Sequence, residues 1–141
     1  MSVEVKYKTS TTAIGGRDGR TRSDDGRIDL QLAVPRELGG PGGEGTNPEQ
    51  LFAAGYAACF LGAVKVAGQQ LKVRISPEAA VTATVGIGPR AEGGFGITAE
   101  LGVHLPGIDP AQARQVADLA HQICPCSNAT RNNVDIGVNL L

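Results

Sequence analysis

The sequence predicts an α+β fold, with helices segregated from antiparallel strands. Three observations point there. Residues 3–12, 28–32, 81–87, 95–105 and 134–140 read as strands, most of them by an alternation of apolar and polar side chains. Residues 46–68 and 108–124 carry helix-start signals and apolar residues at helical spacing. The order is strands, helix, strands, helix, strand, and no segment repeats at a fixed period of roughly 20–50 residues. At 141 residues the chain is expected to form a single domain spanning 1–141.

Composition narrows the classes. The 13 basic and 14 acidic side chains leave a formal charge of −1, which argues against nucleic acid or an acidic membrane surface as the main partner. Aromatic residues are only 4% of the chain and Trp is absent, so the core must be aliphatic. The 20 glycines and 8 prolines imply many turns. The first residues show no secretory signal, and no run approaches the roughly 20 apolar residues of a membrane span. A cytoplasmic location is therefore expected. There, the three cysteines stay reduced unless they have a redox or metal task.

In the first strand, Val3, Val5 and Tyr7 alternate with Glu4, Lys6 and Lys8, and Thr9 to Thr12 continue it. A glycine-rich, charged connection from Gly15 to Arg27 follows, and Asp25-Gly26 is a hairpin signal. With Ile28, Leu30 and Leu32 this predicts a small antiparallel meander whose first connection carries several arginines. Gly39 to Gly45 matches no phosphate-binding pattern. Thr46 with Glu49 forms a capping box, and Asn47-Pro48 is a second start signal for a helix running to Gly68. So few charges fall on that helix that it should be buried nearly all round, wrapped by a sheet or by a second subunit. Val81 to Ile87 and Phe95 to Leu105 are further strands. Asp109 caps a second helix, which Pro125 ends or kinks near Cys124, and Val134 to Leu140 is the last strand.

Cys59 and Cys124 fall on two different helices and are the first candidates for chemistry. A buried free cysteine is usually a small hydrophobe. A reactive one needs a nearby cation to hold its thiolate. Arg17 is the candidate cation, with Arg20 and Arg22 as competitors that spacing does not separate. Glu49 reads equally as a capping acid and as a bidentate partner for an arginine. Ten positions separate Glu49 from Cys59, about 15 Å along a helix, so the two do not touch within it. A rival reading takes His121, Cys124 and Cys126, with Cys59, as soft ligands of a tetrahedral zinc site, at a spacing unlike the common zinc motifs. A cysteine–histidine pair using His121 or His104 has no local support.

Several segments taken together resemble a known family. They are Gly15-Gly16-Arg17-Asp18-Gly19-Arg20, then Thr46-Asn47-Pro48-Glu49-Gln50-Leu51-Phe52 running on to Cys59-Phe60, then Ala120-His121-Gln122-Ile123-Cys124-Pro125-Cys126-Ser127-Asn128-Ala129-Thr130-Arg131. The chain closely resembles the organic hydroperoxide resistance proteins, the Ohr branch of the Ohr/OsmC family, over essentially its whole length. The cysteine–proline–x–serine–asparagine segment favours Ohr over the OsmC branch.

The resemblance implies an OsmC-like fold, with antiparallel sheets wrapped around two central helices in an intertwined homodimer. It implies a thiol peroxidase that reduces fatty-acid and alkyl hydroperoxides to alcohols. Cys59 matches the peroxidatic cysteine, Cys124 the resolving one, Arg17 the thiolate-activating arginine and Glu49 the carboxylate that holds it. No cofactor or metal is expected to be bound. The reductant would be an external dithiol, the dihydrolipoyl group of a lipoylated protein. The apolar residues Phe52, Phe60 and Phe95 are expected to favour an alkyl tail. A non-catalytic protein that binds zinc or an apolar ligand is the alternative from another class. One position departs from the family pattern: Cys126 stands where tyrosine is usual.

Overall fold

The computed structural model describes all residues, Met1–Leu141. The chain divides into two compact units, Met1–Pro48 and Glu49–Leu141.

The first unit is built on a three-stranded antiparallel meander of β1 (Thr11–Ile14), β2 (Arg20–Ser23) and β3 (Asp29–Gln31), in that spatial order. Thr11 pairs with Ser23 and Ile14 with Arg20, while Arg20 pairs in turn with Gln31. The β1–β2 connection is a single 3-10 turn, Gly16–Asp18, entered through Gly15 at φ 83° and Gly16 at φ 72°. A side chain at Gly19 would put its Cβ within 1.8 Å of the Ile14 carbonyl oxygen, so only glycine closes this turn. The connection therefore carries Arg17 alone, and Arg20 and Arg22 lie on β2. At the predicted hairpin, Gly26 takes φ 75°, and the Asp25 carboxylate accepts from the Ser23 hydroxyl at 2.8 Å and the Arg27 N–H at 3.0 Å.

The expected strand over 3–12 does not form. Regular structure starts only at Thr11, and Val3, Val5 and Tyr7 are exposed. The Ser10 carbonyl accepts from the Asp24 N–H at 3.0 Å, but no strand of this chain pairs with the residues before it, and an unpaired strand leaves its backbone groups to water.

The second unit contains α1 (Pro48–Leu71), β4 (Ala80–Pro89), β5 (Phe95–His104), α2 (Pro110–Ile123), α3 (Pro125–Thr130) and β6 (Ile136–Leu140). β4 and β5 form a ten-residue antiparallel ladder from Ala80↔His104 to Pro89↔Phe95. β6 adds to the other edge of β5, pairing Ala99↔Ile136 through Val103↔Leu140. That pairing is parallel, so this sheet is mixed and not antiparallel as expected. The cause is the helical crossover between β5 and β6, which returns the chain to the starting end of β5.

Tyr56, Phe60, Val64 and Ala67 of α1 pack with Leu101 and Val103 of β5, Val116 and Ala120 of α2, and Cys124. This is an aliphatic core, as composition required. α1 runs beyond the expected end at Gly68. Its stop is a Schellman motif with Lys72 at φ 56°, in which the Val73 N–H donates to the Gly68 carbonyl at 2.8 Å. Gly68 serves packing instead, because a Cβ there would lie 2.6 Å from the Ile75 side chain and 2.8 Å from the Val73 carbonyl.

Within one chain, α1 is covered on one side only. Ala54, Gly55, Ala58, Gly62, Lys65 and Val66 are exposed, a face of mostly small side chains. The helix has the length and apolar character of a membrane span, with a third of its most apolar window buried. One unit of this size has too little surface to cover a 24-residue apolar helix on every side.

Candidate active site

Cys59 lies midway along α1. Cys124 lies between α2 and α3, and Cys126 in the first turn of α3. The fold brings all three together. The Cys124 Sγ–H donates to the Cys59 Sγ at 3.6 Å, and the three sulfur atoms lie within 4.8 Å of one another. All three are free thiols, Cys124 buried and the other two partly buried. A disulfide needs sulfur atoms about 2.05 Å apart, so bridging Cys59 and Cys124 requires a local approach of roughly 1.5 Å.

Proline chemistry sets the second half of this cluster. Asp109 caps α2 by accepting from the Ala111 N–H at 3.0 Å, as the sequence predicts. Pro125 has no N–H with which to continue α2, so the helix stops at Ile123. Cys124 takes an extended conformation at φ −62°, ψ 122°, ending α2 and opening α3. Proline at the first position of a helix is favourable, which is why the same residue starts α3. The short α3 was not among the expected elements; Pro125 followed by the Ser-Asn-Ala-Thr run was the signal for it.

A buried hydrogen-bond network fixes α3 against α1 and α2. The Tyr56 hydroxyl lies 2.8 Å from the Ser127 Oγ and 3.4 Å from the Thr130 Oγ1. His121 Nδ1 lies 2.8 Å from the same Ser127 Oγ. The Thr130 hydroxyl donates to the Cys126 carbonyl at 3.0 Å, and Arg131 donates to the His121 carbonyl at 2.5 Å. Tyr56 and Ser127 were not among the sequence candidates. A hydroxyl's role as a spacer between helices depends on pairing residues 71 positions apart.

Two of the thiols, Cys59 and Cys126, are held toward the neutral form. Burial, and then the adjoining Cys124 thiol, push Cys59 up from its ordinary value, against a lowering by the Cys126 N–H and thiol. Burial and the neighbouring Cys59 push Cys126 up to about 12. Burial lowers His121, and the Arg131 charge lowers it further.

The remaining candidates fall as follows. Arg17 stands in the 3-10 turn of the first unit. Its competitors are engaged with Asp29: Arg20 Nε lies 2.6 Å from one carboxylate oxygen, and Arg22 Nε 3.9 Å from the other. Glu49 lies in the first turn of α1, where the helix dipole favours an acid. Phe52 and Phe95 line one open cleft of about 720 Å³, with Ile97 and Val134 adding apolar wall and Arg90 and Glu92 charge. Phe60 does not share it: the ring is fully buried in the core, tilted against His121 with centroids 6.4 Å apart. His121 is held by Ser127 and is not part of the sulfur cluster, so the four-ligand zinc arrangement is not assembled. His104 ends β5 opposite Ala80.

The profile of the family described as OsmC-like protein matches residues 40–139. The organic hydroperoxide resistance protein of Xanthomonas axonopodis pv. citri is 53% identical, over 97% of this chain and 96% of that protein. The crystal structure of an organic hydroperoxide resistance protein from Elizabethkingia anophelis superposes with a TM-score of 0.92 at 40% identity, covering 98% of each chain. That of OhrB from Bacillus subtilis gives a TM-score of 0.87 at 38% identity, over 96% of this chain and 98% of that one.

Proposed function

The chain belongs to the OsmC-like family, in the branch of the organic hydroperoxide resistance proteins, and from that premise we propose that it is a thiol peroxidase acting in defence against organic peroxides. The observation that carries this reading is the Cys124–Cys59 contact of 3.6 Å between thiols 65 residues apart in sequence.

The Cys59 thiolate attacks one peroxide oxygen, and the O–O bond breaks. The departing alkoxide takes a proton and leaves as the alcohol, while Cys59 becomes a sulfenic acid. The Cys124 thiol then condenses with that sulfenic acid, forming the disulfide and releasing water. An external dithiol reopens the bond by exchange, returning both cysteines to thiols as the dithiol itself becomes a disulfide. A dihydrolipoyl group on a lipoylated protein is the reductant of this reading, and no bound cofactor takes part.

Burial disfavours the Cys59 thiolate, so the first step needs a cation. Arg17, with Glu49 as its carboxylate partner, is assigned that role. It would hold the Cys59 thiolate and oppose the charge developing on the leaving oxygen. The resemblance of Gly15-Gly16-Arg17-Asp18-Gly19-Arg20 to the family's segment is what favours Arg17 among the three arginines. Phe52 and Phe95 are assigned to the alkyl tail because they share a cleft of mixed lining, to which they and Ile97 give the apolar wall, whereas the burial of Phe60 suits a packing role. The exposed small-residue face of α1 supports a homodimer, in which a second copy covers Ala54, Gly55, Ala58 and Gly62. An intracellular, cytoplasmic setting accords with three thiols kept reduced.

The test is consumption of tert-butyl hydroperoxide by the purified protein with dihydrolipoamide as reductant. Steady turnover is expected, falling at least about a thousandfold in Cys59→Ser because the nucleophile is gone. Absence of turnover in the wild type with any dithiol would sink the assignment. Equal turnover of hydrogen peroxide and a bulky alkyl hydroperoxide would remove the role of Phe52 and Phe95.

A further inference from the structure

The disulfide cycle uses two thiols, yet the cluster holds three. Cys126 lies with Cys59 and Cys124 in one group whose sulfur atoms are all within 4.8 Å of one another, with 3.6 Å between Cys59 and Cys124. A three-coordinate centre with bonds to sulfur of about 2.3 Å, the length of a zinc–thiolate bond, sets its sulfur atoms roughly 3.3–4 Å apart. The cluster needs only small side-chain adjustments to reach that spacing. The group contains no imidazole or carboxylate, so it offers three soft ligands and no fourth.

Charge decides which ion suits it. Three thiolates around zinc carry a net charge of −1, and around copper(I) −2. Desolvation penalises both in a buried place. A trivalent centre bound by three thiolates is neutral and escapes that penalty. We infer that Cys59, Cys124 and Cys126 form a binding site for one trivalent, thiophilic metalloid, of which arsenite is the accessible representative. Arsenous acid exchanges its three hydroxyl groups for three sulfurs: three S–H and three As–OH bonds break, three As–S bonds form, and three waters leave. Arsenic stays trivalent and the sulfurs stay reduced, so no oxidant or reductant is needed. Arsenic bound here occupies Cys59 and Cys124 together, so the metalloid and a peroxide exclude one another.

The site is tested on reduced, full-length protein without any peroxide, so failure of the peroxidase reading would leave the result standing. Titration with arsenite is followed by intact-protein mass and by counting thiols open to a colorimetric reagent. One arsenic gained with three hydrogens lost, and all three thiols protected, is the expected outcome. Cys126→Ser and Cys126→Ala should each bind arsenite about tenfold or more weakly. Both should keep wild-type affinity for phenylarsine oxide, which takes only two thiols and so reports an intact Cys59–Cys124 pair. No adduct, protection of two thiols only, or unchanged arsenite affinity in both variants would each overturn the site.

Discussion

Tyr56 carries more of the site's geometry than its place in an apolar helix suggests. Its hydroxyl is buried and meets Ser127 at 2.8 Å, tying the middle of α1 to the helix that follows Cys124. Tyr56→Phe should cost about 1 kcal/mol in urea unfolding, the net worth of one buried hydrogen bond. It should also slow disulfide formation after a peroxide pulse, because α3 is held less firmly; an unchanged rate would confine Tyr56 to packing. His121 shares the same serine and gives the molecule a pH dependence. Its pKa in the folded state lies below the ordinary 6.5, by burial first and the Arg131 charge second, with Arg114 adding and Asp118 opposing. The unfolded chain therefore takes up the proton first as pH falls, and stability is lost as pH drops through 6.5. Asp25 and Asp29, held below 3.8 by their hydrogen bonds, act only at lower pH and do not blur this window. Melting temperature should fall between about pH 7.5 and 5.5, and His121→Gln should flatten that fall.

At the scale of elements, α1 shows how one composition serves two purposes. Its buried side holds Tyr56, Phe60, Val64 and Ala67, and its other side presents alanine and glycine to the exterior. Gly68 marks the place where the chain turns back tightly along the helix end. Gly68→Ala should destabilise by roughly 1–3 kcal/mol, since the new methyl meets the Val73 backbone and Ile75. A variant as stable as the wild type in urea would mean that this turn relaxes freely. The sequence read the helix as ending there because glycine is the common stop. The actual stop uses Lys72 in the left-handed conformation, which no propensity favours and which the contact of Gly68 with the returning chain imposes. α2 was more legible: Asp109 and Pro125 are local signals, and both act as read.

For the whole molecule, two features have no counterpart within the chain: the exposed face of α1 and the unpaired residues 1–9 with Val3, Val5 and Tyr7 exposed. Apolar surface of that kind calls for a partner, and the proposed dimer would supply one. Sedimentation equilibrium should return a dimer whose interface exceeds the roughly 1,200 Å² of a stable complex. Ala58→Arg, placing a charge on the exposed face, should shift it to monomer. A monomeric wild type at micromolar concentration would end the proposal. The mixed sheet belongs to this scale as well, because the direction of β6 follows from the path of the chain through α2 and α3 and not from its own five residues.

Local rules were enough for the fold class, the meander hairpin, the starts of both long helices and the three cysteines as the residues to watch, because each rests on neighbours a few positions apart. Segment-by-segment resemblance carried the pairing of Cys59 with Cys124 further than spacing did. Tertiary structure decided the rest. It set the parallel direction of β6, the bare face of α1, the engagement of Arg20 and Arg22 with Asp29, the burial of Phe60, and the meeting of three sulfurs in one cluster. Each of these depends on which distant residues come into contact, and on how much surface one chain of 141 residues has available to cover itself.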